Sequence, residues 1–146
     1  MTTTTDALTV ALAAENAAIF TYGVVAAYAA PSREQAISEY TAQHRALRTE
    51  LEAALTTAKA PVPPAAAGYN LPIAVTDPVS ALTVALAAEE DCAVAYRGLL
   101  ERADTVDIRG LGLRGLTDSA LRAANWRVVL RISPATVALP GGGDGA

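Results

Sequence analysis

The sequence predicts an all-α protein: an antiparallel four-helix bundle made of two related helical hairpins joined by one long crossover. Three observations carry that expectation. The 146-residue chain is 52% hydrophobic but only 5% aromatic, and almost a quarter of it is alanine, the best helix former and a poor strand former. Residues 7–15 read ALTVALAAE and residues 81–89 read ALTVALAAE again, with the echo continuing at Tyr22 and Tyr96. A proline-rich stretch from Ala60 to Thr76 separates the two copies. Two copies are too few for a solenoid, so they read as two hairpins of one bundle.

Each helix has its own signals. The first runs from about Asp6 to Ala29, with Leu8, Ala11, Leu12, Ala18, Ile19, Val25 and Ala26 at helical spacing. Pro31 and Ser32 break the chain, and Ser32 with Gln35 has the spacing of a capping box. The second helix continues to about Lys59 on Ile37, Tyr40, Leu47, Leu51 and Leu55. Pro61, Pro63, Pro64 and Pro72 forbid helix in the next stretch, and Asp77-Pro78 is a start signal, an N-cap carboxylate before a first-turn proline. The third helix spans about Pro78 to Ala103. The fourth lies between Asp107 and Arg131, its start blurred by Gly110, Gly112 and Gly115. The expected division is one bundle over residues 1–132 and a loose C-terminal tail over 133–146.

Loop length selects the topology. The crossover, extended at about 3.3 Å per residue, reaches over about 50 Å, enough to run the full length of the bundle, whereas bundle connections usually take about 2–8 residues. That favours the single-crossover arrangement of ferritin-like bundles over simple up-down-up-down.

The inner seam carries the chemistry. On the first helix the stripe Leu8, Ala11, Glu15, Ala18, Tyr22, Val25 puts Glu15 among core positions, and the third helix repeats it as Leu82, Ala85, Glu89, Cys92, Tyr96, Leu99. His44, the only histidine, lies on the inward stripe of the second helix. On the fourth, Ala120, Ala123, Arg127 and Leu130 form the expected seam, with Trp126 beside it. A buried carboxylate must be paired, protonated or metal-bound. Two readings follow: a metal site of Glu15, His44 and Glu89 taking iron or manganese, or a buried polar network of Glu15, His44, Arg48, Glu89 and Arg127, lined by Tyr22, Tyr96 and Trp126. Carboxylate di-metal bundles add a Glu-x-x-His motif on each of two helices. Here Thr41 stands three residues before His44 and the fourth helix has no histidine. The metal site is therefore read as degenerate and the protein as a non-catalytic structural or binding module with no cofactor. A metal-dependent oxidoreductase, and a small-molecule site between the hairpins gated by the crossover around Tyr69, are the alternatives.

Other signals exclude more than they offer. Gly110-x-Gly112-x-x-Gly115 matches a dinucleotide fingerprint in letters, but Ala135 stands where its acidic residue is needed and no βαβ unit fits. One cysteine, Cys92, forbids an intramolecular disulfide, and pairing it with His44 as a nucleophile is weaker than reading it as packing. A net charge of −4 argues against nucleic acid. No positive charge precedes the apolar run Ala7–Ala14, which Glu15 and Asn16 interrupt, so neither a signal peptide nor a membrane span is expected and a cytoplasmic location is the default. Small residues on outer faces, Ala13, Ala14, Ala17, Ala26 and Ala27, suit a homodimer.

His44-Arg45, Tyr69–Pro72, Thr76–Pro78, Glu89–Asp91, Trp126-Arg127 and Ala138–Gly141, in this order, resemble an actinobacterial ferritin-like family of alanine-rich four-helix bundles whose domain has no known function. The resemblance covers residues 7–141. It implies a ferritin-like bundle without an assigned activity, with Glu15, His44, Glu89 and Arg127 matching the polar seam. The chain departs from it in the glycine-rich stretch Arg109–Gly115, where alanine and leucine are usual.

Overall fold

The computed structural model describes residues 2–143; Met1 and residues 144–146, the end of the expected tail, lie outside them. Four α-helices form: α1 (Thr4–Tyr28), α2 (Glu34–Thr57), α3 (Pro78–Arg102) and α4 (Val106–Val129), with a 3-10 turn at Pro31–Arg33 and no strand among the described residues. Capping explains two starts. Thr3 and Asp6 form a capping box at α1, and Asp77 and Ser80 form one at α3, where Pro78 takes the first turn. The capping box expected at Ser32 and Gln35 does not form. Pro31 opens the 3-10 turn instead, and the Gln35 amide donates to Glu39 Oε1 at 3.0 Å. Helix α2 ends with Lys59 and α4 with Arg131 in the left-handed region, each followed by an amide returning to a carbonyl five residues back.

Helix α4 starts cleanly, capped by the Thr105 hydroxyl, and its glycines lie inside it. A Cβ on Gly112 would sit 2.9 Å from the Leu100 backbone nitrogen, and one on Gly115 would sit 2.3 Å from the Tyr96 ring. The stretch that blurred the helix start in the sequence thus lets α3 and α4 approach closely. The loss in helix propensity is about 1 kcal/mol per glycine relative to alanine.

Paired residues give the directions. From α1 to α3 the contacts run Thr4 to Arg102, Ala14 to Cys92, Glu15 to Tyr96 and Tyr22 to Glu89, so these helices are antiparallel. From α2 to α4 they run Glu50 to Arg114, Gln43 to Arg122 and Tyr40 to Trp126, again antiparallel. The short α1–α2 turn makes that pair antiparallel too, which leaves α2 and α3 parallel. Residues 58–77 must then run the length of the bundle. They do so over the α1/α3 face, where Tyr69 packs on Phe20 with centroids 5.6 Å apart and Leu71 and Val75 rest on the core.

The interior is two apolar clusters with a polar layer between. Leu8, Leu12, Leu51, Leu55, Leu99 and Leu111 fill one end; Val25, Ile37, Leu82, Leu86, Ala123 and Trp126 fill the other. Each fully buried leucine contributes about 1.5–3 kcal/mol. Helix α1 is long and apolar enough by composition to cross a membrane, as the core helix of a bundle also is. In the fold it packs against both α2 and α3 with Glu15 buried at its centre. After α4 the chain folds back: Pro140 O accepts from Arg97 Nη1 at 3.5 Å, and Ala135 O from Arg127 Nη1 at 3.4 Å.

Candidate functional site

The polar layer is built around His44, which is fully buried along with Glu15 and Glu89. The imidazole lies between the two glutamates, Nδ1 2.6 Å from Glu15 Oε2 and Nε2 2.8 Å from Glu89 Oε1. Each glutamate is also capped by the tyrosine of the other repeat. Tyr96 Oη donates to Glu15 Oε1 at 2.6 Å, and Tyr22 Oη donates to Glu89 Oε1 at 2.6 Å. Trp126 Nε1 donates to Tyr22 Oη at 2.8 Å, completing the chain. The exchange follows from the repeat: two antiparallel copies of one helix, seven residues separating Glu from Tyr in each, bring each tyrosine level with the other copy's glutamate.

The second cation is Arg122. Its Nε lies 3.0 Å from both oxygens of Glu89, and Nη1 donates to Gln43 Oε1 at 3.0 Å. Arg122 replaces the two arginines expected in the network. Arg48 is half-buried on α2 and bonds none of these groups among the described residues. Arg127 reaches outward, to Glu90 Oε1 at 2.7 Å. The cause is a seam displaced by one position: α4 buries Gly112, Gly115, Ser119, Arg122 and Trp126, rather than a stripe through Ala120, Arg127 and Leu130 with Trp126 beside it. Steps of three and four ending on the one tryptophan are a signal for this seam. Its first members lack an apolar side chain, which hides it from hydrophobic periodicity.

Each ring nitrogen of His44 faces a carboxylate oxygen, an arrangement that favours the doubly protonated imidazolium. Burial by itself would lower the His44 pKa; the hydrogen bonds to Glu15 and Glu89, with their charges, outweigh it and raise the pKa to about 9. Burial likewise pushes Glu89 upward, but His44 and then Arg122 hold it below the usual carboxylate range. Two carboxylates thus face two basic side chains in one buried layer. Burial, reinforced by the Glu15 and Glu89 charges, keeps Cys92 a thiol well above the ordinary cysteine range, its Sγ 3.7 Å from Ala14 O.

The donor set fits a metal poorly. Glu15 and Glu89 address opposite edges of one ring, so a cation on either nitrogen cannot take both. A Glu15, His44, Cys92 grouping has its ligand atoms within 4.8 Å of one another, but it needs a deprotonated thiol and a neutral imidazole, both opposed by the surroundings. Thr41 stands three residues before His44 and Ser119 three before Arg122, so neither basic residue has a glutamate at that spacing. Thr41 donates to its own helix at Ile37 O, and Ser119 Oγ has no partner among the described residues. Residues 69–72 lie over a cleft of about 180 Å³ along α1 and α3, below the range of about 300–1,000 Å³ usual for ligands. A wider cleft of about 900 Å³ opens between α2 and α4 at the end of the bundle where the crossover begins, with Ala58 in its lining.

Helical bundle and buried polar layer together define a class, a four-helix protein with a buried ionic centre in which, among the described residues, Arg122 Nη2 and Ser119 Oγ lack a hydrogen-bond partner. The chain belongs to the family described as a domain of unknown function (DUF4439), matching it over residues 7–144. It is similar to the crystal structure of a conserved hypothetical protein, rv2844, from Mycobacterium tuberculosis, with a TM-score of 0.83 and 38% identity, covering 85% of this chain and 94% of that one. No curated protein matches it.

Proposed function

We propose that the chain is a non-catalytic ferritin-like bundle, a structural or binding module in which an ionic lock occupies the place of a metal centre. One observation carries this reading: His44, fully buried, lies with a repeat-related glutamate against each ring nitrogen, and each glutamate also accepts from a buried tyrosine. A carboxylate bundle that binds two metals needs open coordination positions and imidazole lone pairs. This centre has neither. The ferritin-like assignment draws support from the parallel α2 and α3 and the crossover that joins them along the bundle.

The test is elemental analysis of protein purified without a histidine tag, followed by thermal melts with Fe(II), Mn(II) and Zn(II). No stoichiometric metal and no shift in melting temperature is the expected result. Near-stoichiometric metal that disappears in Glu15→Gln or His44→Ala would overturn the reading and favour a metal-dependent oxidoreductase. Nitrogen-15 NMR adds an independent check, since both His44 ring nitrogens should carry protons at neutral pH.

A further inference from the structure

The two nonapeptide copies match on their inner faces and differ on their outer ones. Val84, in the second copy, is 1% exposed beneath the crossover, whereas its mate Val10 is 55% exposed. Val10 stands in a groove of about 300 Å³ between α1 and α3, floored by Ala7, Ala14, Ala95 and Gly98 and flanked across by Val94, itself 57% exposed. The cover that the equivalent patch receives within the chain is apolar, from Leu71 and Val75. The uncovered patch thus presents a surface of the kind this fold elsewhere buries.

Charge at the groove ends identifies the occupant. Asp91 closes one end and Arg102 the other, about 16 Å apart on α3 at 1.5 Å per residue. The Asp91 carboxylate is exposed and has no hydrogen bond or ion pair among the described residues. A surface with an unpaired anion at one end, a cation at the other and small residues between is complementary to itself after a half-turn. We propose that this groove is the interface of a symmetric homodimer, in which α1 and α3 pack against the same helices of a second copy and Asp91 meets Arg102 of the partner subunit at both ends. An extended apolar peptide would fill the groove without needing opposite charges at its two ends. Two helix faces three turns long form a small interface, so a dimer that dissociates in the micromolar range is expected.

Sedimentation velocity on the full chain, from low micromolar to near-millimolar concentration, tests this. Wild type should dimerise, and Val10→Asp and Val94→Asp should each weaken the dimer by about tenfold or more. Leu121→Asp, on the exposed outer face of α4, should leave it unchanged. Asp91→Arg and Arg102→Asp should each weaken the dimer, and combining them should recover most of the loss. Circular dichroism confirms that each variant is folded. A monomer at every concentration, a dimer sensitive to Leu121→Asp but not to Val10→Asp, or a charge exchange without recovery would each overturn the proposal.

Discussion

Helices α1 and α3 are near copies and give the centre the same groups, one glutamate and one tyrosine each; α2 and α4 are not copies and give it different cations, His44 and Arg122. The anionic half of the layer is therefore symmetric and the cationic half is not. Each glutamate accepts from one tyrosine, but Glu15 meets His44 alone of the two basic residues, while Glu89 meets both. Equal residues in equal registers consequently sit in unequal fields, which repeat symmetry alone would not reveal.

Removing each glutamate in turn is the sharpest way to break that comparison. Glu89→Leu leaves Arg122 and one edge of His44 buried without an anion, so a loss of about 3–5 kcal/mol is expected in urea unfolding. Glu15→Leu strands the Tyr96 hydroxyl and the other edge of His44, which can give up its proton, and should cost about 2 kcal/mol. Equal losses would mean that the second cation has no special tie to Glu89.

The next effect is pH dependence. His44 is raised from 6.5 to about 9 in the fold, so its contribution is full below pH 6.5 and is lost as pH rises through 9. The amount is on the order of 3 kcal/mol. Glu89, held low, works oppositely: its contribution is present above the ordinary carboxylate range and lost on acidification. Stability should therefore be highest in weakly acidic solution and decline toward pH 9. In His44→Gln the alkaline decline should disappear, which pH-dependent urea melts would detect.

Much of this was legible in the residues. The nonapeptide located both glutamates and both tyrosines, because a repeat preserves register even where alanine flattens hydrophobic contrast. The steps from Ile37 to Leu51 placed His44, since large aliphatic residues bracket it. Arg122 was not legible. Its seam on α4 runs through Gly112, Gly115 and Ser119, whose burial comes from the close approach of α3 rather than from their own hydrophobicity, so alanines one position later made the better apolar stripe. Pro31 misled in the same local way: its fixed φ favoured a 3-10 turn over the side-chain cap that Ser32 advertised.

The smallest predicted effects separate glycines with different tasks. Gly115→Ala drives a methyl into the Tyr96 ring and should cost about 1–3 kcal/mol, with Tyr96 pushed from Glu15. At Gly110 the nearest atom to an added Cβ is the Arg114 guanidinium at 3.8 Å, so Gly110→Ala should gain up to about 1 kcal/mol from helix propensity. Thermal melts of the two variants should move in opposite directions. A loss at both would mean that α4 tolerates no side chain along this stretch.

Cys92, sealed beside Glu15 with its thiol hydrogen-bonded to Ala14 O, makes the chain its own gauge of breathing. A disulfide reagent can reach it only when α1 and α3 part or the whole chain unfolds, and the thiolate that reacts is scarce until then. The labelling rate of the unmodified protein thus counts openings of the α1–α3 seam, and comparing it with global unfolding shows whether the two repeats ever separate on their own.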